Sequence, residues 1–324
     1  MKVHILDDWF DTLRQLPCFE RLNGHDVTVW NDHVQETDVL AERLADAEAV
    51  VLFRERTKIQ AGLLARLPNL KLISQRSVYP HIDVEACTRH GVLLCSNQHA
   101  GSPSYAAAEL TFGLVLSAMR QIPQQMASLK AGNWQMGVGH SVRHKTIGIW
   151  SYGRLGKAVA KYASAFDMDV QVWGGDQSTA EAVADGYRKA DSREAFFATS
   201  DVVCLLIRLY PATRHMITAA DLACMKPDSL LVNTSRAPLI EEGALYNALK
   251  NGRPGMAAVD VFEQEPVGRE GHPLLTLPNG VATPHIGYVT AEEYETQFAD
   301  IFDQVVAFAA GKPIHMINPE AFGG

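Results

Sequence analysis

Three charged side chains with complementary chemistry stand at the ends of three successive apolar runs in the second half of this 324-residue chain. Leu230–Asn233 leads into Thr234-Ser235-Arg236. Met256–Val261 contains Asp260 and is followed by Phe262-Glu263-Gln264-Glu265-Pro266. Val281–Thr283 ends in Pro284-His285-Ile286-Gly287. Singly, Arg236 reads as a surface charge, Glu265 as a solvated loop residue and His285 as a hydrogen-bonded turn histidine. Together they hold the parts needed to reduce a keto acid. A guanidinium fork binds a carboxylate and polarises the carbonyl beside it. An imidazolium donates the proton that accompanies hydride addition. A carboxylate next to an imidazole fixes its tautomer and favours its acid form.

A second group of residues suits a dinucleotide. Lys145–Ala160 reads KTIGIWSYGRLGKAVA, an apolar run that turns directly into a helix. In a dinucleotide fold such a turn aims backbone N–H groups and a helix N-terminus at the pyrophosphate. The glycine fingerprint is here Ser151-Tyr152-Gly153-Arg154-Leu155-Gly156. Its second and third glycines are in place, and Ser151 must make the turn without glycine's conformational freedom. An acidic residue about 20 positions on should hold the ribose hydroxyls. The next run, Val170–Trp173, ends in Gly174-Gly175-Asp176, so Asp176 is the candidate. It would repel a 2′-phosphate, which points to NAD; Arg208, on a neighbouring run end, leaves NADP open.

These residues need a scaffold that gathers the ends of many strands. Apolar, β-branched runs recur at Val3–Leu6, Val27–Trp30, Ala49–Phe53, Leu70–Ser74 and Val92–Cys95. They recur again at Thr146–Trp150, Val170–Trp173, Val202–Ile207, Leu230–Asn233, Met256–Val261 and Val281–Thr283. Runs without polar alternation are strands buried on both faces. Helical segments between them imply βαβ units and parallel sheets, here an α/β chain with two doubly wound domains. In such sheets ligands bind beyond the carboxyl ends of the strands, where the three charged residues lie. Ser102-Pro103 predicts a helix start. The stretch that follows, to about Arg120, is apolar nearly all round and predicts burial between larger bodies. Beyond His285 an amphipathic stretch to Ala310 predicts that the tail returns to the first domain. The boundaries expected are 1–99 with 288–324 for the substrate domain, and 100–287 for the dinucleotide-binding, Rossmann domain.

Net charge is −8 with no Lys/Arg-rich run, which removes the electrostatic basis for nucleic-acid binding. The five cysteines are scattered, without a C-x-x-C pair, and no segment reads as a signal peptide or bilayer span, so a cytoplasmic, reducing setting is expected. No metal site is expected: His140 and His144 share an i, i+4 spacing but lie in a Gly-containing segment just before a strand.

The segments VNTSRAPLI (Val232–Ile240), VDVFEQEP (Val259–Pro266) and TPHIGY (Thr283–Tyr288) resemble those of the D-isomer-specific 2-hydroxyacid dehydrogenase family, glyoxylate and hydroxypyruvate reductases among them. Their order and spacing from the glycine turn match as well, and FRERTKI near Arg54 extends the similarity across the chain. The resemblance implies a flavodoxin-like substrate domain beside the Rossmann domain, dimerised through the long apolar helix and the arm after it. It implies Arg236 as binder of carboxylate and carbonyl, His285 as proton donor or acceptor, and Glu265 as its partner. Asp260 falls where the family holds the nicotinamide carboxamide, and Arg154 and Leu155 where turn amides meet the pyrophosphate. Ser235 and Gly287 join the expected cofactor contacts. For the small 2-keto acid, the expected contacts are Arg54, Ser77, Val78, Arg236 and Tyr288. Ser77 and Val78 lie in Gln75-Arg76-Ser77-Val78-Tyr79-Pro80, where the family carries a glycine-rich loop. Two other readings share this scaffold: a dehydrogenase of formate or phosphite, and a non-catalytic NAD sensor. Glu265 speaks against formate, since those relatives resemble this motif with an amide partner for the histidine.

Overall fold

The computed structural model describes residues 1–98 and 105–323. The chain divides into two compact units, Met1–Pro103 with Val289–Gly324, and Ser104–Tyr288. The expected helix start at Ser102-Pro103 lies outside the described residues.

The first unit carries five parallel strands: β1 (Lys2–Ile5), β2 (Asp26–Val29), β3 (Ala49–Val51), β4 (Leu72–Arg76) and β5 (Leu93–Asn97). Their order in the sheet is β2-β1-β3-β4-β5, the doubly wound arrangement of flavodoxin-like folds. Residues such as Val3, Ile5, Val50, Leu72, Ile73 and Leu94 have essentially no exposure, as expected for strands covered on both faces. One cover is the helix Ala291–Ala309, which Thr290 caps through the Glu293 N–H. It buries Tyr294, Phe298, Ile301, Phe302 and Val305, a spacing of three and four that lines one helical face. The Ser74 hydroxyl donates to the Ile301 carbonyl at 2.8 Å, tying that helix to β4. The tail therefore belongs to the first unit.

The second unit carries seven parallel strands: β6 (Thr146–Trp150), β7 (Asp169–Trp173), β8 (Arg188–Lys189), β9 (Val202–Leu205), β10 (Leu230–Asn233), β11 (Met256–Val259) and β12 (Gly280–Ala282). Their order is β12-β11-β10-β9-β6-β7-β8. Counted from β6, this is the Rossmann order 3-2-1-4-5-6 with a seventh strand added at one edge. The strand order reverses across the sheet between β6 and β9, the switch point at which sheets of this kind bind ligands beyond their carboxyl ends. Strand β8 carries none of the apolar signal of the others. It is two exposed charged residues that pair with Gln171 and Val172 at the sheet edge.

The helix Ala106–Met119 packs Ala108, Phe112, Leu114, Val115, Ala118 and Met119 into this unit's core. Glu109 and Gly113 stay exposed, so its own unit covers only part of an almost wholly apolar helix. No helix of the described residues is long and apolar enough to cross a membrane.

Candidate active site

Four of the predicted positions that follow strands, Arg54, Ser77, Ser151 and His285, have positive φ: 58°, 77°, 84° and 53°. Non-glycine residues rarely adopt this region, and where they do the surrounding structure must hold them.

At β6 the turn keeps a glycine-like backbone although Ser151 has replaced the glycine. The Ser151 N–H donates to the Trp173 carbonyl at 2.8 Å, fastening the turn to the end of β7. Gly153 is the N-cap of the helix Arg154–Ala165, with no side chain capping it and open space where a Cβ would stand. The first-turn amides of Arg154 and Leu155 are thus left to an external acceptor, as a phosphate-binding helix start requires. Gly156 is required for a different reason: a Cβ there would lie 2.2 Å from the Ser151 carbonyl oxygen. The turn therefore fits a pyrophosphate. Tyr152 points the other way, into the core, with its hydroxyl 2.9 Å from Asp185 and its N–H donating to Ser178 Oγ at 2.6 Å. Ser178 lies on the helix Asp176–Ala184, so Asp176, exposed in the first turn of that helix, stands near the glycine turn.

The three charged residues come together beyond β10, β11 and β12. His285 Nδ1 is 2.5 Å from Glu265 Oε2. The other carboxylate oxygen, Oε1, accepts the Phe262 N–H at 2.8 Å. Burial pushes the Glu265 carboxyl up. The hydrogen bond and charge of His285, the Phe262 N–H and the Arg236 guanidinium pull it down, and the net result lies below the ordinary glutamate value. Arg236 is close enough for its charge to be felt there, and its Nη1 also donates to the Ser235 carbonyl at 2.7 Å. With Nδ1 engaged, His285 Nε2 has no hydrogen-bond partner among the described residues. Tyr288 meets the imidazole edge-on, the ring centroids 5.7 Å apart.

Asp260 is buried and grips the histidine loop. Oδ1 accepts the Thr283 hydroxyl at 2.6 Å and the Ile286 N–H at 2.8 Å; Oδ2 accepts the Gly287 N–H at 2.8 Å. Burial raises its pKa, against the lowering by these hydrogen bonds and by His285. A Cβ on Gly287 would come within 3.2 Å of Asp260 Oδ2, so a larger residue there would require the carboxylate to give by a few tenths of an ångström.

Sequence reasoning passed over the groups that hold Arg236. Asn233, buried at the end of β10, accepts the Ser235 N–H at 3.1 Å and donates to the Arg236 carbonyl at 3.0 Å. Thr234 shares a 2.6 Å hydrogen bond with Thr111 of the helix Ala106–Met119. The Ser235 hydroxyl donates to the Ile207 carbonyl. An Asn ending a buried strand before a polar turn was the one available signal, since that residue type closes turns onto neighbouring backbone.

In the first unit, Arg54 follows β3, with its Nε 3.9 Å from Glu55. Ser77 follows β4, and its carbonyl accepts from Gln75 Nε2 at 3.0 Å and from Ser96 Oγ and Gln98 Nε2, both at 2.7 Å. Val78 beside it is exposed. Among the described residues no cluster of three or more His, Cys, Asp or Glu side chains could hold a metal ion.

Comparison with known proteins adds to this geometry. Residues 112–287 match the family described as D-isomer specific 2-hydroxyacid dehydrogenase, NAD binding domain. The chain is 32% identical over 308 residues to the glyoxylate reductase of Thermococcus litoralis, covering 91% of each chain. It is 38% identical over 278 residues to the D-3-phosphoglycerate dehydrogenase of Methanocaldococcus jannaschii, covering 84% of this chain but only 52% of that longer one. Among solved structures, the phosphoglycerate oxidoreductase of Vibrio cholerae superposes with a TM-score of 0.90 at 47% identity, covering 96% of this chain and 99% of the other.

Proposed function

The chain belongs to the D-isomer specific 2-hydroxyacid dehydrogenase family, whose NAD-binding domain it contains, and from that premise we propose that it interconverts a small 2-keto acid and its 2-hydroxy acid, with glyoxylate or hydroxypyruvate as substrate. The observation that carries this reading is the 2.5 Å contact between His285 Nδ1 and Glu265, with the Arg236 charge beside it, at the ligand-binding edge of the second unit's sheet.

The bound nicotinamide supplies or accepts the hydride. Arg236 binds the substrate carboxylate and draws electron density from the carbonyl oxygen. Glu265 keeps the His285 proton on Nδ1 in the neutral ring, so that the unpartnered Nε2 faces the reacting oxygen. Protonated at both nitrogens, His285 gives the Nε2 proton to the nascent alkoxide; in the reverse direction Nε2 takes it back. Help of this kind is worth about 10²–10⁴-fold. Gly153, Arg154 and Leu155 receive the pyrophosphate, with Ser151 and Gly156 setting the turn and Tyr152 bracing it from the core. Asp176 holds the ribose and disfavours a 2′-phosphate, which favours NAD over NADP. Asp260, Gly287 and Ser235 shape the nicotinamide end. In the first unit the proposed substrate groups are Arg54, Ser77 and Val78, and in the second Tyr288 with Arg236.

A homodimer is part of the proposal. The helix Ile122–Lys130 and the segment after it expose Met126, Leu129, Trp134 and Val138, the last two at 78% and 88%. An apolar arm of that size suits burial against a second copy. A cytoplasmic setting suits five unbridged cysteines, four of them buried.

The test is a panel of glyoxylate, hydroxypyruvate, pyruvate and phenylpyruvate, each with NADH and NADPH, followed at the reduced-nicotinamide absorbance band. Turnover of glyoxylate and hydroxypyruvate with NADH is expected. Nucleotide binding without turnover of any keto acid would refute this reading and leave the nucleotide sensor and the formate or phosphite dehydrogenase, and preference for NADPH would remove the role given to Asp176.

A further inference from the structure

A second histidine–carboxylate pair lies beside the first, on the same loop. His272 Nε2 is 2.8 Å from Glu263 Oε2. Its Nδ1 accepts the Leu274 N–H at 3.3 Å and so caps the short turn Pro273–Thr276. With Nδ1 an acceptor, the neutral ring carries its proton on Nε2 and donates it to Glu263. The ring is therefore fixed at both nitrogens.

That fixed ring backs the residue that orients Glu265. His272 stands edge-on to Phe262, the centroids 5.1 Å apart and the planes at 65°. The Phe262 side chain is buried, and its N–H is the donor to Glu265 Oε1 at 2.8 Å. A continuous series of contacts thus runs from Glu263 through His272 and Phe262 to Glu265, and from there to His285.

The loop has little else to hold it. Between 263 and 273 no residue is buried, and apart from Val267 and His272 every one is exposed as a whole residue, the Glu265 side chain alone being partly covered where it meets His285. A segment with so few apolar contacts is normally among the first to open. A hydrogen bond across nine positions closes the loop and restricts that freedom. Placement of a reacting group matters steeply, since a shift of about 1 Å can cost about 10²-fold in rate.

We propose that His272, clamped by Glu263, is a positioning residue for the reaction: it fixes Phe262 so that the Phe262 N–H presents Glu265 to His285. The proposal rests on the role given to Glu265 above. A clamp that acts only through Glu265 has nothing to act on once that carboxylate is gone, and a double-mutant cycle reads this directly.

The experiment compares the full-length wild type, His272→Ala, Glu265→Ala and the double variant, measuring kcat, the keto-acid KM and NADH affinity. His272→Ala should lower kcat about tenfold, with NADH affinity unchanged, and should add no further loss to Glu265→Ala. Glu263→Ala should repeat the effect, while Glu263→Gln, which retains an acceptor for the Nε2 proton, should restore most of the rate. Glu263 is exposed, so the cycle can be run through it if His272→Ala fails to fold. A wild-type kcat in His272→Ala, or a full additional loss on the Glu265→Ala background, overturns the clamp. A wild-type kcat in Glu265→Ala itself would overturn the role of Glu265, which is a separate outcome.

Discussion

Ser151→Gly should stabilise the second unit, and the backbone supplies the size of the effect. Ser151 sits at φ 84°, where its Cβ crowds the following carbonyl. For an L-residue the left-handed region costs about 1–2 kcal/mol. Glycine escapes that cost but loses more chain entropy on folding, by about 0.4–1 kcal/mol. No hydrogen bond of the Ser151 side chain offsets the change among the described residues. The net gain is about 0.5–1 kcal/mol, or a rise in Tm of about 1–4 °C for a unit of this length. Scanning calorimetry of Ser151→Gly and Ser151→Ala together provides the assay, because Ala keeps the Cβ and removes only the hydroxyl. The reasoning expects the gain in Gly alone. An equal gain in Ala, or a loss in Gly, would show that the hydroxyl and not the backbone sets the energetics of this turn.

Gly156→Ala should damage the same turn from the other side. The new Cβ would meet the Ser151 carbonyl at 2.2 Å, a backbone atom that cannot rotate away, so the helix must shift and carry the Arg154 and Leu155 amides with it. Overpacking of this kind costs about 1–3 kcal/mol, and NADH titration should show affinity reduced by at least about tenfold. Asp260→Asn should lower kcat, because an amide retains one acceptor oxygen but turns an NH2 toward one of the N–H groups that Asp260 now accepts; wild-type turnover would show that the loop needs only one of them. The Glu265 carboxyl lies below its ordinary value in the folded state, so the stability it contributes is present above that value and lost as pH falls through the folded one. The Tm difference between wild type and Glu265→Gln, measured by acid titration, should accordingly shrink as pH drops below about 4.5. A difference that grows toward acid pH would contradict the ion pair as its source.

The core strands were readable in the sequence because a strand covered on both faces has no polar alternation, and Val202–Leu205 and Leu230–Asn233 have none. Strand β8 was not, since Arg188 and Lys189 are placed by edge pairing and leave no apolar trace. The chemistry proposed for Arg236, Glu265 and His285 was readable from residue type. Their meeting followed from adjacency of β10, β11 and β12, which brings loops distant in sequence to the same carboxyl end of the sheet. What orients them was hidden. The Phe262 N–H, the Asn233 amide and the Thr111–Thr234 pair act through backbone groups and short polar side chains that make no pattern of their own. Asp260 shows both sides: its position marked it as a candidate, yet its three hydrogen bonds to the histidine loop are visible only in the fold.

Turnover and nucleotide affinity measured side by side on His285→Ala give the most direct test of the proton-transfer site. The arrangement at the sheet edge predicts kcat reduced by about 10²–10⁴-fold with NADH affinity essentially unchanged. Keto-acid reduction at the wild-type rate, or a loss explained entirely by failure to bind NADH, would contradict it.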